Sequence, residues 1–504
     1  MKARPATIIR TLCVANRGEI ACRVFRTCRQ HGIRSVAVYS DVDRAALHVA
    51  EADCAVGIGG ASARESYLNV ERVVAAAMRA GADAIHPGYG FASEKPEFAA
   101  ACEAAGLRFV GPPAGAMEVM GDKTRAREAM QRAQVPVIPG VQNIRTGREA
   151  LVAAEHIGFP IMLKAAAGGG GKGMRVVATA EQVAPAYEAA QREAVAAFGD
   201  GRIFVERAVL NARHVEIQVM ADGHGNVVCL NERDCSIQRR HQKVVEEAPS
   251  PSPAMSSTVR EAMCRVAVAA ARAVDYQGAG TVEFLFENGR DGPQFFFLEM
   301  NTRLQVEHAV TEAVTGRDLV WDQLCVAMGE PLGYAQSDVR LDGHAIECRV
   351  YAEDPVHFLP SPGTITRLRW PRGPGIRVDA GVESGSSVPS EYDPMVAKII
   401  AWGQDRAEAL ARMRMAVADT TIFGIHTNLP FHARLLSEPD FVGGRFDTGY
   451  VASHADVLCP PALDLPDSRA VAAAAARVAL AAQPGDGGAK MRHGGWQAAV
   501  RWRR

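Results

Sequence analysis

The chain has 504 residues, 56 Lys and Arg against 57 Asp and Glu, and a formal charge of −1. That length gives a prior of about three domains, and a charge near zero excludes the global basic field that nucleic-acid binding needs. Eleven cysteines without a C-x-x-C pair point to reduced thiols in a cytosol, not to a disulfide framework or a zinc site.

At the start, Met1-Lys2-Ala3-Arg4-Pro5 lacks the apolar core of a secretory signal. No apolar run approaches membrane-spanning length. The expected location is therefore cytoplasmic, without a membrane partner. Short apolar strands are predicted at Leu12–Ala15, Val36–Tyr39, Cys54–Val56, Ala84–His86 and Phe109–Gly111. Helical stretches at Glu19–His31, Val70–Ala80 and Pro96–Ala105 separate them. Such alternation predicts an α/β unit, a parallel sheet packed by helices, ending near residue 115. His86-Pro87-Gly88-Tyr89-Gly90-Phe91 falls at the carboxyl end of one strand, where such sheets bind ligands, although tight turn geometry alone would also explain its glycines.

Met120-Gly121-Asp122-Lys123 is expected to open a helix running to about Ala133, and Pro136 and Pro139 mark a boundary. Residues of about 136–208 then form a small α/β unit. Inside it, the apolar run Phe159–Leu163 ends in Lys164 and a glycine loop, Gly168-Gly169-Gly170-Gly171-Lys172-Gly173. Glycines let backbone N–H groups approach phosphate closely. The loop is not a Walker A motif, because Gly173 stands where Ser or Thr would follow Lys172. A nucleotide lid is preferred to a plain linker. A strand-rich segment, Val205–Glu232, leads to the basic cluster Asp234–Lys243, read as anion-binding in preference to a solvated loop. One long helix is expected over about 256–277.

Thr281–Glu287 and Phe297–His308 carry the densest chemistry. If the second segment is extended, Glu299, Asn301, Arg303, Gln305 and Glu307 share a face. If the two strands form a hairpin with Glu287 opposite Phe295, Glu283 falls opposite Glu299. Paired carboxylates on an apolar hairpin repel unless a cation lies between them. Hard oxygen ligands suit magnesium or manganese, so a metal site is expected at Glu283, Glu299 and Asn301.

Ordered motifs across residues 10–452 carry a resemblance. They are Ala15-Asn16-Arg17-Gly18-Glu19-Ile20-Ala21, His86–Phe91, Met120–Lys123, Lys164–Met174 and Arg213–Gln218, then Glu232–Pro249, Gly280–Glu287, Glu299–His308, Glu347-Cys348-Arg349 and Tyr392-Asp393-Pro394-Met395. Together they resemble the biotin carboxylase component of biotin-dependent acyl-CoA carboxylases, within the ATP-grasp superfamily. The resemblance implies an N-terminal parallel-sheet (Rossmann-like, pre-ATP-grasp) domain over 1–118 and an ATP-grasp domain over 119–335 with a mobile lid at about 136–208. A C-terminal α+β biotin carboxylase domain would cover 336–452, leaving an Ala-rich tail at 453–504.

The implied reaction uses ATP, two Mg2+ or Mn2+ ions and bicarbonate to carboxylate biotin on a separate carrier protein through carboxyphosphate. It is the first half-reaction of an acetyl- or acyl-CoA carboxylase, with carboxyltransferase subunits and a homodimer as further implied partners. By the same resemblance, Lys123 and Lys164 hold ATP phosphates under Gly168, Gly169, Gly170, Gly171 and Gly173. Glu206 and Val209 hold adenine, and His214 and His241 line the nucleotide site. Lys243, Arg303, Gln305 and Val306 clamp bicarbonate, Glu307 is the base, and Arg349 stabilises the biotin ureido oxygen. Read without the resemblance, Arg349 would be a surface ion pair with Glu347 or Glu353.

Ala309, Lys95 and Ala208-Val209 depart from the family pattern, and the last bears on the side-chain fit to adenine. Ala489-Lys490-Met491 is similar to part of a biotinylation motif, but only 14 residues follow Lys490, too few for the β-domain that carries biotin in the family. The chain is therefore expected to need a separate carrier. The hairpin insertion Arg290–Gln294 looks like that of long propionyl- or methylcrotonyl-CoA carboxylase α subunits, so a truncated or split α subunit is one alternative. Another ATP-grasp carboxylate-amine ligase is a second, and a non-catalytic scaffold a third.

Overall fold

The computed structural model describes residues 7–165, 174–289 and 292–460. The Gly168–Gly173 loop, Arg290 and most of the tail, including Lys490, lie outside the described residues.

Five parallel strands, β1 (Thr11–Val14), β2 (Arg34–Tyr39), β3 (Cys54–Gly57), β4 (Ala84–His86) and β5 (Arg108–Phe109), form a sheet in the order β3-β2-β1-β4-β5. The first four predicted strands are present, and the fifth, expected at Phe109–Gly111, lies at Arg108–Phe109. Their buried Val, Ile, Cys and Ala side chains fit a sheet covered on both faces. After β4 the chain turns back at Gly88, whose φ is +64° and where a Cβ would meet Asn16 Nδ2 at 2.7 Å. Asn16 Nδ2 donates to the carbonyls of Pro87 (2.9 Å) and Tyr89 (2.7 Å). The two glycine-bearing motifs thus meet across this sheet.

A second unit has four strands, β6 (Gly140–Ile144), β7 (Ile161–Ala165), β8 (Arg175–Val177) and β9 (Ile203–Arg207), ordered β6-β9-β7-β8. Helices Gly147–Ile157 and Val183–Phe198 pack on it. The helix expected from Met120 to Ala133 breaks at Asp122. The Asp122 carboxylate caps the new helix Lys123–Arg132, accepting from the N–H groups of Thr124 and Arg125 at 2.9 Å each. Lys123 therefore stands at a helix start.

The largest element is an eight-stranded antiparallel sheet. Its strands are β10 (Arg213–Ala221), β11 (Val227–Arg239), β12 (Gln242–Ala248), β13 (Gly278–Gly289), β14 (Gly292–Asn301), β15 (His344–Tyr351), β16 (Ile376–Ala380) and β17 (Met395–Gly403). They lie in the order β14-β13-β10-β11-β12-β15-β17-β16. One sheet thus continues across residue 335. The helix Ser257–Arg272, shorter than expected, starts at Ser256, whose hydroxyl accepts from Val259 N–H. At Gly280 in β13 a Cβ would fall 2.6 Å from the Tyr276 ring. Gly280→Ala is expected to cost about 1–3 kcal/mol through that clash, read as a lowered denaturant midpoint with an unchanged slope.

Two expectations need correction. The first concerns the cluster Asp234–Lys243, read as anion-binding: Asp234–Arg239 is the end of β11 and only Arg240 and His241 turn, so the solvated-loop alternative falls, and not every cation of the cluster is free for an anion. Arg239 is spent on Glu353, at 2.5 and 2.7 Å. Second, not all cysteines are free: Cys229 of β11 is joined to Cys264 of the helix Ser257–Arg272. The helix packs on that strand and brings the two Cα atoms to 5.6 Å, a pairing that a separation of 35 residues does not announce.

Candidate active site

β13 and β14 form the hairpin that brings Glu283 to Glu299, by a route the sequence did not show. Near the turn, Glu287 pairs with Gln294, not Phe295, and Phe284 with Phe297. A bulge at Leu298 then shifts the register, and Glu283 does face Glu299. β14 ends at Asn301, so the expected extended run to Glu307 is wrong. The chain bends there, yet the side chains still converge. Arg303 donates to Asn301 Oδ1 (3.1 Å) and Gln305 Oε1 (2.8 Å). Gln305 Nε2 (3.1 Å) and Asn301 Nδ2 (2.8 Å) donate to Glu283 Oε1.

A cleft of about 520 Å³ gathers Lys123, Lys164, Glu206, Val209, His214, His241, Lys243, Glu283, Glu299, Asn301, Arg303, Gln305, Val306, Glu307 and Arg349. These are all the expected site residues outside the glycine loop. A larger hollow, about 1250 Å³, lies beside the helices Lys123–Arg132 and Ser257–Arg272 and is lined by none of them. Volume does not decide between the two; the convergence of charge does.

At the centre, Lys243 Nζ donates to three buried carboxylates: Glu216 (2.5 Å), Glu307 (2.7 Å) and Glu283 (2.9 Å). Burial alone would push these acids up, but Lys243 leads the opposing attraction and holds Glu307 down at about 2. Glu216 and Glu283 are likewise held well below the ordinary carboxylate range. Burial opposes charge on His214 too, yet Glu283, 3.1 Å away, and Glu216 hold it up at about 9. The two carboxylates thus favour the protonated imidazole at His214.

Arg349 is buried. Its Nε donates to Glu246 (2.6 Å) and its Nη2 to the second Glu307 oxygen (2.9 Å). The alternative of a surface pair with Glu347 or Glu353 is overturned, because Arg349 is buried and the neighbouring strand β12 presents Glu246 to it. Lys164 pairs with Glu206 across β7 and β9, and Arg127 lies 4.0 Å from the same carboxylate. Lys123, Glu299 and His241 are exposed to the cleft.

Next to the cleft, and sharing Arg303, Val306 and Arg349 with it, is a hollow of about 400 Å³ lined by Arg17, Glu19, Tyr89 and Tyr392. Tyr89 donates to Glu19, and Lys398 Nζ lies 3.5 Å from that carboxylate. Sequence reasoning assigned no role to Glu216, Glu246, Glu19, Tyr89 or Lys398. Glu216 was findable: it is a charged residue in a nine-residue strand with every position buried.

Three family models cover most of the chain: "Biotin carboxylase, N-terminal domain" over residues 8–117, "Carbamoyl-phosphate synthase L chain, ATP binding domain" over 122–335, and "Biotin carboxylase C-terminal domain" over 347–453. The chain is 50% identical over 453 residues to biotin carboxylase 1 of Bacillus subtilis, covering 90% of this chain and 100% of that protein. It is 49% identical over 449 residues to the mitochondrial methylcrotonoyl-CoA carboxylase subunit alpha of Arabidopsis thaliana, covering 88% of this chain and 61% of that one. Among solved structures, the biotin carboxylase-β-γ-ATP complex from Campylobacter jejuni superposes with a TM-score of 0.84 at 45% identity, over 89% of this chain and 99% of that chain. The biotin carboxylase domain dimer of Hydrogenobacter thermophilus 2-oxoglutarate carboxylase, in complex with MgADP, ADP and bicarbonate, gives 0.84 at 45% identity, over 90% and 99%.

Proposed function

The chain belongs to the biotin carboxylase family, and from that premise we propose that its central cleft carboxylates biotin with bicarbonate at the expense of ATP. The reaction takes ATP, bicarbonate and biotin on a carrier to ADP, phosphate and carboxybiotin. One observation supports the residue assignment above the rest: Glu307 lies between Lys243 and Arg349, in the cleft that also holds Lys123 and Lys164.

Lys123 and Lys164 bind the ATP phosphates. Lys164 leaves Glu206 to do so, and Glu206 then faces the adenine hinge with Val209. Arg303, Lys243 and the backbone of Gln305 and Val306 clamp bicarbonate. In the resting arrangement Glu307 is a weak base, because Lys243 and Arg349 stabilise its anion. When bicarbonate draws Lys243 to itself, Glu307 loses that attraction, its proton affinity rises, and it can take the bicarbonate proton. The deprotonated oxygen then attacks the γ-phosphorus as the bond to the β-phosphate oxygen breaks, so that ADP leaves with the electron pair and carboxyphosphate is formed. Arg349, fixed by Glu246, presents its guanidinium to the developing charge on the biotin ureido oxygen.

The oxygens of Glu283, Glu299 and Asn301 fit a divalent ion. The two carboxylates face each other with no carboxylate-to-carboxylate hydrogen bond between them, and one is open to the cleft. Bound with ATP, such an ion would neutralise charge on the phosphates. Ligation by Asn301 requires Arg303 to release its Oδ1. Glu299→Gln is expected to shift the magnesium titration of ADP release upward about tenfold; an unaltered titration would remove the hairpin from metal binding.

A separate biotin carrier protein, carboxyltransferase subunits and a second copy of this chain are the proposed partners. Among the described residues no helix is long and apolar enough to cross a membrane. The deciding experiment measures ADP release with magnesium and bicarbonate, with and without free biotin. Strong stimulation by biotin is expected. Nucleotide turnover indifferent to biotin and to any carrier would overturn this reading in favour of another ATP-grasp substrate.

A further inference from the structure

Behind Arg349 the sheet interior holds acids that the reaction as described does not use. Glu246 of β12 stands directly opposite Glu347 of β15, and both are fully buried. Cross-strand partners share a face and lie close enough for like charges to repel strongly. Glu246 Oε1 accepts from Arg349, but Glu246 Oε2 and both oxygens of Glu347 have no hydrogen-bond partner. No cation lies within ion-pair distance of Glu347 among the described residues.

Every charge acting on the pair is already committed. Arg349, two residues along β15, spans Glu246 and Glu307. Lys398 of β17 donates to the Val306 carbonyl at 2.5 Å and lies 3.5 Å from Glu19. Lys243, farther along β12, holds Glu216, Glu283 and Glu307. His308, from the helix His308–Thr315 packed over β15, is buried, and burial among Lys398, Arg23 and Arg377 keeps it neutral. A second ionised carboxylate here would be a buried charge without a counter-ion, which costs several kcal/mol. A carboxylic acid, by contrast, can offer its O–H to the open oxygen opposite.

We infer that Glu246 and Glu347 hold one proton between them, and that this singly charged pair is the positioning device that keeps Arg349 bridged to Glu307. Burial pushes both acids up, Glu246 to about 7 and Glu347 well above the carboxylate range, while Arg349 and Lys398 pull the other way. The sign follows. With one proton the pair carries one negative charge, and Arg349 divides itself between the pair and Glu307. When the proton leaves, two negative charges face Arg349 from behind, and the guanidinium is drawn away from Glu307 and from the biotin side of the cleft. The functional form is therefore present below the pKa of the shared proton and lost as pH rises through it. This rests on the assignment of Arg349 to the biotin ureido oxygen.

The test has two arms on the full chain. Infrared difference spectra against pH should show the carbonyl stretch of a water-excluded carboxylic acid near neutral pH, bleaching as pH rises. Glu347→Gln should remove that band. In the same preparations, kcat/KM for biotin should fall on the alkaline side, and in Glu347→Gln that fall should move up by about one pH unit or more, with the profile for ATP unmoved. Absence of the band from the wild-type protein overturns the shared proton. A lost band with an unshifted alkaline limb overturns the positioning role. Should Glu347→Gln not fold, the wild type still decides, because band and alkaline limb must titrate together. If biotin is not a substrate at all, the assignment of the cleft fails, and the infrared band still rules on the pair by itself.

Discussion

Glu307→Gln is expected to lower biotin-dependent ADP release by about two orders of magnitude or more, with the KM for ATP changed by less than about twofold. The substitution keeps the shape and removes the proton acceptor. Glutamine has one carbonyl oxygen where Glu307 offers two, so it can keep the hydrogen bond from Lys243 or the one from Arg349 but not both. Lys123 and Lys164, the residues proposed to bind ATP, do not touch Glu307 through any hydrogen bond or ion pair. A fall in kcat that leaves nucleotide binding alone is the signature of a group acting in the chemical step. Steady-state kinetics with biotin and ATP varied in turn decides it, and unchanged turnover would eliminate Glu307 as the base.

Lys243→Met should do more damage, and to the fold as well as to the reaction. Lys243 is 13% exposed, and the side chains it joins are 0–5% exposed. Methionine fills similar space without charge, so Glu216, Glu283 and Glu307 lose their shared cation. Arg233 still reaches Glu216 (2.6 Å) and Arg349 still reaches Glu307, but Glu283 keeps only His214, Asn301 and Gln305. Breaking a buried ion cluster by removing one partner costs about 3–5 kcal/mol. The pH dependence carries the sign. The three acids have their folded-state proton affinity depressed, so the stability they contribute is present above the ordinary carboxylate pKa and is lost as pH falls toward 2. The gap in unfolding free energy between wild type and variant should therefore be widest near neutral pH and narrow on acidification. Denaturant midpoints at two pH values measure it; a gap independent of pH would mean that the cost is packing, not charge.

Much of this was legible in the sequence, unevenly. The N-terminal strands were legible because short apolar runs between amphipathic helices leave few other readings. The pairing of the hairpin was legible in outcome but not in route: Glu283 does face Glu299, through a bulge at Leu298 that alternation cannot reveal. The bend after Asn301 hid for the same reason, since an extended reading of residues 302–307 also gathers their polar side chains. Arg349 was misjudged when read alone because Glu347, two residues along the same strand, makes no ion pair with it, Glu353 pairs with Arg239 instead, and the partner it does take is remote in sequence. Glu246 lies 103 positions away. The bond between Cys229 and Cys264 was invisible for that reason too.

The eight-stranded sheet has a consequence for how this chain can be divided. β12 and β15 pair through Val245–Cys348 to Ala248–Ala345, so the backbone ladder crosses the linker near residue 335 without interruption. A fragment ending there would leave the N–H and C=O groups along one side of β12 unsatisfied, beside Val244 and Val245 stripped of their cover. Such a raw border invites pairing with any other strand. The two halves are therefore not separable modules, and limited proteolysis between residues 330 and 343 should leave a nicked protein that stays in one piece until it is denatured.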